Sequence, residues 1–139
     1  MTKQEYPHPT VGALIFDPDG RLFLMKSHKW HGKYVVPGGH IELGETIEEA
    51  LNREVKEETN LDVFDVEFLL YQDFLYDDAF WKNMHFVFFD FSCRTNSPEV
   101  VVLNEEASEF TWAHLDRALK MAIDPYTRTA ILEYQKRFT

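Results

Sequence analysis

A chain of 139 residues that is 45% hydrophobic, 15% aromatic and 27% charged can bury about two-thirds of its unfolded surface in one domain, which excludes intrinsic disorder. Asp and Glu outnumber Lys and Arg by 24 to 14, a net charge of −10 with no basic cluster, so a nucleic-acid backbone is excluded as the expected partner and an anionic substrate would need a mediating cation. One cysteine, Cys93, excludes an internal disulfide; the absence of a long apolar run or apolar leader excludes a membrane helix and makes a cytoplasmic location the expectation.

In chain order, Val11–Phe16 and Arg21–Met25 flank Asp17-Pro18-Asp19-Gly20, whose Pro and Gly suit a tight turn, and predict a β-hairpin. Tyr34-Val35-Val36 predicts a further short strand, stopped by a loop at Pro37-Gly38-Gly39. From Thr46 the apolar period changes to that of a helix. Thr46 and Glu49 form an S/T-x-x-E capping box, and Ile47, Ala50, Leu51 and Val55 follow at helical spacing, predicting a helix over 47–59 with Asn60 as its left-handed terminator. Strands are expected within Leu61–Tyr76, Met84–Cys93 and Val100–Leu103. A short helix near His114–Lys120 follows, and Asp124-Pro125 supplies an N-cap and first-turn proline for a last helix to about Phe138. Without repeats or a linker, residues 1–139 read as a single mixed α+β domain with helices packed on the faces of a sheet.

The chemistry concentrates on the first helix. On a helical wheel Glu54 and Glu58 fall within about 20° of Ile47, on the apolar face, and Glu57 lies about 80° away, so three carboxylates are expected to converge. A generic glutamate-rich helix merely exposes a solvated face. Carboxylates on an inward face near a helix C-terminus carry a desolvation cost and oppose the macrodipole, and a divalent cation offsets both. Oxygen ligands favour Mg²⁺, with Mn²⁺ as the alternative, and the absence of His and Cys from the helix argues against zinc.

Gly39, then Glu45 after five residues, then after seven more Arg53-Glu54-Val55-Lys56-Glu57-Glu58-Thr59-Asn60-Leu61, resembles the Nudix box of the Nudix hydrolase family, of MutT-like type. The pattern spans 23 residues with every charged position filled. Its one departure is Asn60, where the family usually has Gly; Asn tolerates the left-handed backbone.

The resemblance implies an α/β/α sandwich with a mixed sheet between helices and metal-dependent hydrolysis of a diphosphate linkage in a nucleotide-like substrate. It implies that Glu54 and Glu58 are the main metal ligands, Glu57 a further or water-mediated one, and the Gly38 carbonyl an additional donor. Glu45 would brace the loop, and Arg53 would orient the carboxylates. Glu106, with Glu105 as its rival, matches the late acidic residue that such enzymes recruit as a ligand or catalytic group. Either Glu54 or Glu106 would take the proton of the attacking water. Trp30, in an exposed-looking Lys29–Gly32 segment, is the aromatic chosen as a stacking candidate, and His40 is a second candidate for substrate contact. A small free nucleotide is favoured over capped RNA. Nucleoside triphosphates, nucleotide sugars, ADP-ribose and dinucleoside polyphosphates stay open, and dimers are common in families like this one. The rival readings are a nucleotide-binding sensor without turnover, disfavoured by the intact box, and a structural Ca²⁺ domain, disfavoured because no D-x-[DN]-x-[DN]-G loop is present.

Overall fold

The computed structural model describes residues 4–139. Its elements are β1 (His8–Phe16), β2 (Leu22–Ser27), β3 (Lys33–Val35), β4 (Gly38–His40), α1 (Ile47–Thr59), β5 (Phe64–Leu75), β6 (His85–Arg94), β7 (Glu109–Ala113), α2 (Leu115–Ala118) and α3 (Pro125–Phe138). Short 3₁₀ turns at His28–Trp30 and Pro98–Val100 interrupt the connections.

β1 explains the layering. It is apolar on both faces: Val11, Ala13 and Ile15 join the cluster that holds Ala50, Leu51 and Val55 of α1, while Leu14 and Phe16 join the cluster that holds Ala118 of α2 and Ala130 and Ile131 of α3. Such an uninterrupted apolar run suits a central strand covered on both sides. Phe23 and Met25 of β2 face α1, and Leu22 and Leu24 face α3, so the seven-stranded mixed sheet lies between helices as an α/β/α sandwich.

The strands of the first hairpin part early. Phe16 pairs with Leu22, but β1 then pairs antiparallel with β4, through Thr10↔His40 to Gly12↔Gly38, while β2 pairs with β3 and β7. On its other edge β1 runs parallel to β6 along its whole length, and β6 pairs antiparallel with β5. This fork leaves β4 threaded beside β1, which carries Gly38 and Gly39 under α1.

Four expectations change. Gly38–His40, read as loop, is a short strand, because Gly38 packs so tightly on β1 that any Cβ there would collide with the Val11 carbonyl. Val100–Leu103 is no strand: Val101 and Leu103 pack on the α1-side cluster, and Val102 N–H donates to Thr59 O at the end of α1. β7, not anticipated, pairs Glu109–Ala113 with β2. The Lys29–Gly32 segment is less open than it reads, since Trp30 is half-buried in its 3₁₀ turn.

Candidate active site

Helix α1 begins and ends as its residues dictate. Thr46 accepts from Glu49 N–H and the Glu49 side chain accepts from Thr46 N–H, a complete capping box; Asn60 closes the helix at φ 66° with its N–H on Lys56 O. Between these ends the buried residues are Ala50, Leu51, Val55, Glu58 and Thr59. A glutamate therefore occupies an inward position beside aliphatic core.

Glu58 is 4% exposed, and its Oε2 has no hydrogen-bond partner among the described residues. Burial pushes its pKa well above the usual carboxylate range; the hydrogen bond and charge of Glu54 and the charge of Glu106 add to this, and the Gly38 backbone N–H pulls the other way. Glu54 lies beside it, its side chain 16% exposed, in space that exists because residue 39 has no side chain: a Cβ on Gly39 would collide with the Glu54 carboxylate.

Arg53 organises the surrounding acids. Its Nε and Nη2 donate to Glu45 at 2.6 and 3.0 Å, Nη1 donates to Glu54 at 3.0 Å and Glu57 at 3.4 Å, and Nη2 also reaches His40 O at 3.0 Å. The Arg53 hydrogen bonds, with the Glu42 backbone helping, hold Glu45 down to about 2, and the same contacts raise Arg53 further above its ordinary value. Glu45 also accepts from Glu42 N–H at 2.9 Å, which fixes the loop ahead of α1.

The expected convergence of three carboxylates is corrected at Glu57. Its side chain is 55% exposed and turned toward Arg53, so the buried pair is Glu54 and Glu58 alone. Among the described residues no three His, Cys, Asp or Glu side chains are grouped so that they could hold one metal ion between them. Glu106 reaches the same cleft from the loop before β7, held by Lys29 Nζ at 2.9 Å. Glu105, its rival in the sequence, is exposed and does not line that cleft.

These groups form one end of an open cleft of about 1420 Å³. Trp30, Phe80, Phe86, Phe88 and Tyr126 line its wall, with Trp30 within 5.0 Å of the Phe80 centroid and 6.1 Å of that of Phe88. His40 lies at the near end, 5.0 Å from the His8 ring, and burial with the His8 charge lowers its pKa, favouring neutral imidazole. Sequence reasoning missed Lys29, His8, Thr10 and Asp90, all of which line the cleft. The sequence signals for the last were Asp90 itself, which interrupts the apolar run Phe86–Phe91, and a glycine, Gly12, inside a strand.

Comparison with known proteins gives a consistent picture. The model of the NUDIX domain matches residues 6–133. The ADP-ribose pyrophosphatase of Methanocaldococcus jannaschii is 44% identical over 59 residues, 40% of this chain and 35% of that protein. The NAD-capped RNA hydrolase NudC of Stutzerimonas stutzeri is 27% identical over 81% of this chain and 39% of its own length. The chain thus spans under two-fifths of either relative. Among solved structures, the NUDIX domain of Shewanella oneidensis NrtR, complexed with ADP ribose, superposes with a TM-score of 0.80 at 20% identity, covering 98% of this chain and 91% of that one; this likeness speaks for the fold. A relative named for capped RNA also narrows the charge argument: net negative charge disfavours binding along a polyanionic backbone and leaves recognition of an RNA end open.

Proposed function

Because the chain belongs to the NUDIX family, we propose that it hydrolyses the diphosphate linkage of a nucleotide derivative with the help of a divalent cation, Mg²⁺ or Mn²⁺. The observation that carries this reading is the Glu54–Glu58 pair: a buried carboxyl with an orphaned oxygen, pressed against a second carboxylate at the end of a nucleotide-sized cleft. The residues fit a hard cation, since the donors are all oxygens and the cost of burying two acids falls when a positive charge joins them.

Glu54 and Glu58 would hold the ion, with the Gly38 carbonyl, Glu57 and Glu106 as further donors. When bound, the ion supplies positive charge against the diphosphate oxygens and acidifies nearby water. Arg53 holds Glu54 from one side through Nη1, so that carboxylate keeps a fixed direction toward the cleft. Either Glu54 or Glu106 would accept a proton from the attacking water, and Lys29 holds the second of them. Trp30 and its aromatic neighbours give the base or ribose a flat surface, and neutral His40 offers a hydrogen bond near the phosphates.

A panel of nucleoside triphosphates, ADP-ribose, nucleotide sugars, dinucleoside polyphosphates and NAD-capped RNA, assayed with Mg²⁺ and phosphate or pyrophosphate detection, tests the reading. At least one substrate is expected to turn over, and Glu54→Gln and Glu58→Gln are each expected to slow it by about a hundredfold or more with the far-UV spectrum unchanged. Saturable nucleotide binding with no product from any substrate would replace the enzyme by a binding module.

A further inference from the structure

Besides the Glu54–Glu58 pair, the lining of the cleft holds an acidic group that the reaction above does not use. Asp90 sits on β6 beside Gly12 of β1, keeps 6% of its surface exposed and lines the cleft. Gly12 makes its position possible: a Cβ there would collide with Asp90 Oδ1. A glycine in the middle of a central buried strand is a conformational cost, and here it marks a close approach by a side chain.

Asp90 Oδ2 accepts from Gln72 Nε2 at 2.9 Å, and the same nitrogen donates to Tyr126 O at 3.0 Å, so Gln72 ties the carboxylate to the start of α3. No donor meets Oδ1 among the described residues, and each carboxylate oxygen has two lone pairs. The cleft that Asp90 lines also carries aromatic side chains. The Phe88 centroid is 5.5 Å from that of Tyr126 and 6.1 Å from that of Trp30, and Phe86 stacks on Phe88 at 5.6 Å. A chamber lined by aromatic rings and by a fixed carboxylate suits a flat heterocycle whose edge presents N–H donors. No cationic side chain is hydrogen-bonded to Asp90, so the donor is to come from the ligand.

We propose that Asp90, held by Gln72 and given room by Gly12, is a specificity-determining residue that accepts a hydrogen bond from the exocyclic amino group of a purine base stacked in the aromatic chamber. This rests on the reading that the cleft takes a nucleotide derivative, and it names the part of that nucleotide which is selected. A purine is favoured because the wall of several rings offers more stacking surface than a single-ring base would cover. The carboxylate discriminates by the donor it lacks: a base without the amino group, once seated, leaves Oδ1 without a partner.

The test is calorimetric binding of nucleoside 5′-monophosphates to the wild-type chain in Mg²⁺ buffer, in matched pairs that differ by one amino group. AMP is set against purine riboside monophosphate, GMP against IMP, with CMP as the pyrimidine arm. One aminopurine is expected to bind about tenfold tighter than its partner lacking the amino group, and Asp90→Asn is expected to abolish that difference. Equal affinities within both pairs, or a preference for CMP, would overturn the proposal, as would an Asp90→Asn protein of unchanged secondary structure that kept the discrimination. The wild-type pairs decide the matter even if the variant does not fold. Turnover of the substrate panel is read separately: hydrolysis without amino selectivity sinks this inference alone, and amino-selective binding without hydrolysis sinks the reaction alone.

Discussion

At the scale of single residues, the site depends on side chains whose neighbours leave them one arrangement. Arg53 is the clearest case, because one planar guanidinium meets Glu45 through two nitrogens and Glu54 and Glu57 through a third. Lys carries the same charge without the fork. Arg53→Lys is therefore expected to lower kcat by about tenfold to a hundredfold with little change in melting temperature, as measured by steady-state kinetics beside thermal unfolding. Glu58 and Glu54 could be placed on the inward face from spacing alone, because a fixed helical period decides which acids face inward, whereas Arg53 came only with the resemblance to the Nudix box. Glu57 could not: about 80° from the apolar face lies the boundary, and the pull of Arg53 took it outward. Trp30 was legible as a cleft residue through its neighbourhood in sequence, whereas Asp90 was not, since its partners Gly12 and Gln72 come from other strands.

Elements follow a similar division between local and distant causes. Helix α1 was legible to the residue because both of its ends are written locally, in the Thr46–Glu49 box and in Asn60. Thr46→Ala should remove one arm of that box and lower stability by about 1 kcal/mol in denaturant unfolding, with the helix content otherwise retained. α3 was legible for the same reason, with Asp124 accepting from Tyr126 N–H and from Thr127, and Pro125 in its first turn. β7 was missed and Val100–Leu103 was over-read because strand identity is set by pairing. Glu109–Ala113 finds β2 along five residues, whereas the β-branched run at 100–103 finds only the end of α1. The forked first hairpin is also a distant effect: nothing in β1 and β2 themselves announces that β4 will enter beside β1.

Across the whole molecule, one cleft brings together two acidic environments of different kind. At one, Glu54 and Glu58 are the proposed cation ligands; at the other, burial pushes Asp90 up to about 6, with the Gln72 hydrogen bond opposing and the Asp124 charge adding. A carboxyl raised in the folded state binds its proton more tightly there than in the unfolded chain. Stability from this group is thus fully present below pH 3.8 and is lost as pH rises through about 6, by about 3 kcal/mol. Wild-type and Asp90→Asn unfolding free energies, measured in denaturant from pH 4 to 7, are expected to differ by that slope, the variant lacking the decline over this window. No helix among the described residues is long and apolar enough to cross a membrane.

The Glu54–Glu58 pair is the proposed place where a divalent cation enters this fold. Isothermal calorimetry of Mg²⁺ against the wild-type chain and Glu58→Gln at neutral pH tests it most directly. Saturable binding to the wild type, weakened by about tenfold or more in the variant, is the predicted result. Identical Mg²⁺ isotherms for the two proteins would contradict it.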